Sequence, residues 1–243
     1  MCKDTEWIYD PVNNSARECA CRQSRIQERR QNFADIPKHF LDKRLDSFDT
    51  EIYNNKFNIA KAKNAYKIAR CYVDEFENFA TNGIGLYISS ATKGSGKTRM
   101  AVSIANELLS KGYRVKFATA IAILNEIKST WQKKSWQDDN NTESRLLNEL
   151  IQADVLIIDD FGQEKVSEWV NNEFYHIINE RYVLNKTTIY TSNVLISELL
   201  YDERITTRVK EKSVLMSFPE VCVRDIIAES NNELMNNKIQ EMQ

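Results

Sequence analysis

Lys97 and Thr98 close the run SSATKGSGKTRMA, residues 89–101, whose side chains suit a narrow range of chemistry. Gly94, Ser95 and Gly96 offer backbone N–H groups that can fold round an oxyanion, Lys97 adds one mobile positive charge, and Thr98 adds a hydroxyl. At the start of a helix, whose dipole favours anions, such a set wraps the β-phosphate of a nucleotide. Lys97 then reaches the β and γ oxygens while Thr98 ligates Mg2+. Lys93 and Arg99 flank the run with further positive charge. Ala91 stands where the first glycine of such a loop is usual, and an alanine costs something there only if the residue needs a positive φ.

A second run, VLIIDD at 155–160, is four apolar residues ending in two carboxylates. At a strand end one of them, Asp159, can hold Mg2+ while the other, Asp160, polarises an attacking water. Glu164 is the alternative base. In IYTSN, Ser192 and Asn193 end another strand, where the Asn193 amide can orient that water. ERITTRVKEK then puts Arg204 and Arg208 four apart on one helical face. Two readings stand for them: a solvated basic helix, or an arginine that reaches the γ-phosphate held by a neighbouring subunit.

The elements that must position these groups alternate. The segment 58–79 has apolar residues at helical spacing (Ile59, Ala62, Ala65, Ile68, Tyr72, Phe76), and TNG ends it. Strands are expected over 84–90, 113–120, 154–160, 187–193 and 213–218, with helices over 97–112, 120–131, 144–153, 166–185 and 203–212. Strand–helix alternation implies an α/β fold, a mainly parallel doubly wound sheet of five strands with its ligand at their carboxyl ends. Residues 1–50 are polar and cysteine-bearing and read as a small N-terminal arm, with the main domain over 51–243.

Composition narrows the partners. The formal net charge of −2 exerts no global pull on nucleic acid, although 22–30 is basic and 138–143 acidic. No apolar run approaches the ~18 residues of a membrane span, and the N-terminus has no secretory pattern, so a cytoplasmic protein with reduced cysteines and no membrane partner is expected. Cys71 and Cys222 read as core residues.

Taken in order, CKDTEWIY…CACR, IPKHFLDKRLDSFD, GSGKT, LIIDDFGQEK, INERY, TSN, ERITTRV and VRD resemble segments of the AAA+ ATPases, within them the DnaC/DnaI/IstB group, over nearly the whole chain. The resemblance implies a P-loop ATPase. Lys97 and Thr98 would be its Walker A residues, Asp159 and Asp160 its Walker B pair, Asn193 its sensor 1, Arg208 its arginine finger, and Arg224 its sensor 2. It further implies an ATP-dependent loader of a replicative DNA helicase, or alternatively an IstB-like transposition helper. Such a loader would bind single-stranded DNA, self-associate with ATP bound, and dock the helicase through residues 1–50. The chain departs from the group at Ala91, at Asp160 where most AAA+ proteins have glutamate, and in its cysteines. Cys2, Cys19 and Cys21 are three thiolates where a structural zinc wants four ligands; His39, the terminal amine or water completes a Zn2+ site, or the arm is metal-free. Lys128, Lys133 and Lys134 interleave with Trp131 and Trp136, which suits single-strand binding, though Trp131 also fits a core position. A small-molecule kinase would need an arginine-rich lid that the sequence lacks. A module that holds ATP without splitting it is the remaining rival.

Overall fold

The computed structural model describes residues 2, 5–132 and 140–241, the side chains of 130–132, 140–144 and 241 excepted. A hairpin of β1 (Trp7–Asp10) and β2 (Ser15–Glu18) leads into helix α1 (Cys21–Ala34), and a 3-10 turn at Lys38–Phe40 follows. Then come α2 (Lys56–Asp74), α3 (Phe76–Thr81), β3 (Gly85–Ser89), α4 (Lys97–Ser110), β4 (Val115–Thr119), α5 (Ala120–Gln132) and α6 (Asn140–Gln152). The chain continues through β5 (Val155–Asp159), α7 (Glu168–Val183), β6 (Thr187–Ser192), α8 (Glu203–Glu211), β7 (Ser213–Ser217) and α9 (Val223–Glu241).

β3 to β7 form one parallel sheet in the order β4-β5-β6-β3-β7. Successive side chains on a strand point to opposite faces, and the two cores divide accordingly. Leu86, Ile88, Val155, Ile157 and Ile189 meet α2 and α4, with Ala34 at the end of α1. Tyr87, Leu156, Ile158 and Tyr190 meet α5, α6, α7 and α8. Both faces are covered, as a parallel sheet requires. Because β6 lies between β5 and β3, the ends of these three strands bring the acidic pair, Asn193 and the glycine loop into one row. The fold is the expected α/β sheet of five parallel strands.

The structure changes several local readings. The helix expected over 58–79 breaks at Glu75 (φ −98°, ψ 22°), which lets Tyr72, Phe76 and Phe79 share one aromatic cluster. Cys71 is exposed, because the buried stripe of α2 runs through Ala62, Ala65, Ala69 and Tyr72 and leaves position 71 outside. Cys222 is half-buried, its sulfur 3.0 Å from where a Cβ on Gly94 would lie. The packing has no break at residue 50. Ala34, Ile36, Leu45 and Tyr53 all belong to the core, and α1 lies on β4 and α4. Among the described residues of 1–50, the hairpin stands off; it is turned by Asn14 (φ 48°) and an Asx turn at Asp10, and Glu6 ties it to Arg29 at 2.6 Å.

Candidate nucleotide-binding site

The glycine loop leaves β3 at Ser90 and enters α4 at Lys97. Gly94 and Gly96 adopt φ of 74° and 102°, the left-handed region that favours glycine, while Ala91 has no positive φ. The departure at Ala91 therefore costs the loop nothing. Gly96 caps α4 with no side-chain hydrogen bond, so the first N–H groups of that helix point outward unsatisfied by any cap. Such an end attracts an anion.

Lys93, Gly94, Ser95, Gly96, Lys97, Thr98, Arg99, Asp160, Asn193 and Arg224 line one cavity of about 500 Å³. Lys97 is 5% exposed, and its Nζ donates to Ser90 O (3.1 Å), Thr92 O (2.9 Å) and Ser95 Oγ (3.3 Å). Burial lowers its pKa, against the pull of Asp160, Glu220 and Asp159. Its ammonium is thus parked on neutral oxygens a short swing from the cavity.

Asp159 sits behind Thr98. Its Oδ1 accepts from Thr98 Oγ1 at 2.9 Å and from Thr191 Oγ1 at 2.6 Å. Burial raises its carboxyl pKa, partly offset by those two hydroxyls. Both hydroxyls use one oxygen, so Oδ2 and the lone pairs of Thr98 Oγ1 remain for a cation, and this donor set fits Mg2+. Asp160 follows at φ 55°, with its N–H on Thr191 Oγ1 (3.0 Å). Aspartate tolerates that left-handed turn better than most residues, and the turn takes Asp160 out of the strand and into the cavity wall. Phe161, buried against Phe174, Tyr190 and Tyr201, anchors the bend from below. Glu164 lines a different cavity, of about 700 Å³, with Arg204. Burial raises its pKa.

Arg204 and Arg208 do not reach the nucleotide cavity of their own chain. Arg204 pairs with Asp202 (3.0 Å) and lies 4.7 Å from the Tyr175 ring; Arg208 sits between the rings of Tyr175 and Tyr182, each 5.4 Å away. Arg99 lines the cavity but also donates to Ser47 O (2.9 Å) and Ser47 Oγ (2.8 Å). Beside the hairpin, the sulfurs of Cys2, Cys19 and Cys21 lie within 4.8 Å of one another. Hydrogen bonds with Cys19 and Cys2 raise the Cys21 thiol to about 11. His39 is not part of this group: it lies on the 3-10 turn, its ring 4.0 Å from that of Phe40. Lys128 Nζ is 4.6 Å from the Trp169 ring, whereas the side chains of Trp131, Lys133, Lys134 and Trp136 lie outside the described residues.

Sequence reasoning missed half of the cavity wall. Phe40, Phe48, Ile52 and Tyr53 face the loop, with Val223 and Ile227 from the start of α9. Tyr53 donates to Ser95 O at 2.7 Å. An apolar wall beside an anion cradle matches the two halves of a nucleotide, a flat base and a charged tail.

A family model described as IstB-like ATP binding protein matches residues 4–214. The chain belongs to the IstB-like ATP-binding family. The replicative helicase loader DnaC of Escherichia coli strain K12 is 31% identical to this IstB-like chain over 149 residues, 60% of this chain and 57% of that protein. The chain thus spans under two thirds of that relative's length. XkdC, a protein of the phage-like element PBSX of Bacillus subtilis, is 28% identical over 203 residues, covering 79% of this chain and 70% of its own. Among solved structures, a DnaC helicase loader superposes with a TM-score of 0.62 at 23% identity, over 75% of this chain and 99% of that one. DnaI superposes with a TM-score of 0.60 at 26% identity, over 75% and 94%. These place the IstB-like chain among DnaC/DnaI-type AAA+ ATP-binding proteins. Among the described residues, no helix is long and apolar enough to cross a membrane.

Proposed function

We propose that the chain is an ATP-dependent loader of a replicative DNA helicase, which splits ATP to ADP and phosphate as a conformational switch. The observation that carries the reading is the single cavity in which the glycine loop, Asp160, Asn193 and Arg224 converge in front of Asp159. The DnaC relative supplies the helicase.

Within that cavity the loop amides and the start of α4 hold the phosphates, and Lys97 leaves its three oxygens to neutralise the β and γ oxygens. Thr98 and Asp159 would hold Mg2+, which when bound would supply positive charge to the phosphate oxygens. Asp160 accepts hydrogen-bonding from the attacking water, Asn193 orients that water, and Glu164, facing another cavity, takes no part. Arg208 acts on a neighbouring protomer bound to the same single-stranded DNA.

For the arm, the reading is docking of the helicase by the hairpin, where Cys2, Cys19 and Cys21 would hold a structural Zn2+. Deleting residues 1–20 is the clean test, since Ala34, Leu45 and Tyr53 belong to the core and a longer deletion would open it. The experiment is loading itself: purified chain, the source cell's replicative helicase, and single-stranded DNA coated with its binding protein. ATP-dependent delivery is expected, and delivery that ignores the chain refutes the reading. The IstB-like family model favours a second reading, a transposition helper; recovery of a transposase in place of the helicase in a pull-down would select it.

A further inference from the structure

Residues 218–224 run across the outer face of the phosphate loop. Phe218 N–H donates to Ser89 O (2.7 Å) and Val223 N–H to Gly94 O (3.0 Å), which pins the segment at both ends of the loop. Between the pins lies Glu220. Its carboxylate accepts from Thr92 N–H (2.9 Å), Thr92 Oγ1 (3.0 Å) and Ala91 N–H (3.3 Å). The Ser90 hydroxyl lies 3.1 Å from the same carboxylate and 2.9 Å from Pro219 O. Burial pushes the Glu220 carboxyl up, but the hydrogen bonds from Thr92, Ser90 and Ala91 together outweigh it and hold the group below its ordinary value. It is therefore an anion at neutral pH, and hydrogen bonds to an anion are stronger than those between neutral groups.

The segment then delivers Arg224 and Ile227 to the cavity wall. The fit is close: a Cβ on Gly94 would meet Cys222 Sγ at 3.0 Å and Arg224 Cδ at 3.3 Å. A negative charge beside a phosphate site repels the ligand, so what Glu220 contributes to binding beyond its pull on the Lys97 ammonium has to be geometric.

We propose that Glu220 is a positioning residue of the nucleotide site, fixing the Ala91 and Thr92 amides and thereby holding both the loop and Arg224 in place. Its effect on catalysis rests on the ATP reading above; its effect on the loop does not. Removing Glu220 leaves the loop free to sample conformations that bind phosphate poorly, so affinity falls while the assembled site reacts as before.

The test compares Glu220→Ala with Glu220→Gln, which keeps a carbonyl acceptor and loses the charge. Titration with a fluorescent ATP analogue in the presence of Mg2+, steady-state hydrolysis, and hydrogen exchange of the peptide covering 89–96 are the readouts. Glu220→Ala should weaken nucleotide binding and raise KM by about tenfold, with kcat within about twofold. Exchange over 89–96 should accelerate while α7 stays unchanged; Glu220→Gln should recover only part of this, staying about threefold from the natural chain. Unchanged affinity and exchange in Glu220→Ala overturn the proposal. So does faster exchange spread through the whole sheet, which marks a general structural role. If Glu220→Ala does not fold, Glu220→Gln decides: exchange about threefold faster at 89–96 supports positioning, and unchanged exchange refutes it. Should the natural chain bind no ATP, the function proposed above falls, while the exchange measurements still decide on Glu220.

Discussion

Lys97 and Arg208 are two cations assigned to the same γ-phosphate, and their surroundings differ. Lys97 is buried inside the loop that it serves, on three neutral oxygens, with its ammonium destabilised by burial. Arg208 lies on α8 between two tyrosine rings, donates to Arg204 O at 2.7 Å, and faces away from the cavity. The first lines the cavity of its own chain; the second is packed between two rings outside that cavity, with its Nε buried and without a hydrogen-bond partner among the described residues. The difference is between groups gathered round one cavity and an arginine that does not line it, which is what the proposed division of the site between two protomers requires.

Breaking the binding half gives the largest effect. Lys97→Ala should lower ATP affinity by roughly a hundredfold or more, because charge-assisted contacts to the β/γ oxygens vanish with nothing to replace them. Calorimetric titration checks this, and undiminished affinity removes Lys97 from the site. Arg208→Ala should do the opposite: affinity within about twofold and turnover down by about 10³. Because the two defects lie on different halves, mixing Lys97→Ala with Arg208→Ala protein should rebuild sites with an intact loop from one chain and an intact arginine from the other. No recovered hydrolysis in a mixture that demonstrably co-assembles on single-stranded DNA ends the trans reading. Arg204, which shares Tyr175 with Arg208, belongs in the same experiment as a double variant.

Within the binding half, Asp160 and Glu164 can be separated in the same way. Asp160→Asn should keep ATP affinity and lose about 10²-fold in turnover, the usual range for a lost general base. Glu164→Gln should turn over within about twofold of the natural chain. Single-turnover hydrolysis measures both, and a reversed order moves the base to Glu164.

How much of this was legible in the sequence follows from where each signal is stored. GSGKT and VLIIDD are local patterns, in which strand, turn and functional group lie within a few residues, so both the sheet and the phosphate half could be read directly. The apolar wall was not legible: Phe40, Phe48 and Tyr53 come from a stretch with no strand or helix period, and only the tertiary fold turns them toward the loop. Glu220 carries no signal at all, since one glutamate after a proline reads as an ordinary loop. The boundary near residue 50 followed composition, whereas packing follows the small apolar residues Ala34, Ile36 and Leu45 dispersed among charges. Cys71 shows the reverse error, an apolar type read as core one position off the buried stripe of its helix.

The smallest expected effects are on stability, and Asp159 measures what the phosphate site costs the fold before any ligand arrives. Burial raises the folded carboxyl above its unfolded value. Between those two values the folded state binds the proton more readily than the unfolded state, so stability falls as pH rises through that window, and the loss persists at neutral pH. Asp159→Asn cannot ionise, and its Oδ1 can still accept from both Thr98 and Thr191. The nucleotide-free variant should therefore melt a few degrees above the natural chain at neutral pH, the shift given by about 1 kcal/mol in a chain of this size. Well below the unfolded carboxylate value the two melts should converge, because the natural carboxyl is then protonated in both states. In the Arg208 half, Arg204→Ala removes an exposed pair with Asp202 and should move the melt far less. Adding Mg-ATP should raise the natural chain more than Asp159→Asn and so narrow or invert the order of the first pair, since a carboxylate holds the cation better than a neutral amide oxygen. A variant that melts no higher than the natural chain at neutral pH would show that Asp159 is already compensated in the empty site, and the contrast with Arg208 would then rest on reach to the phosphate alone.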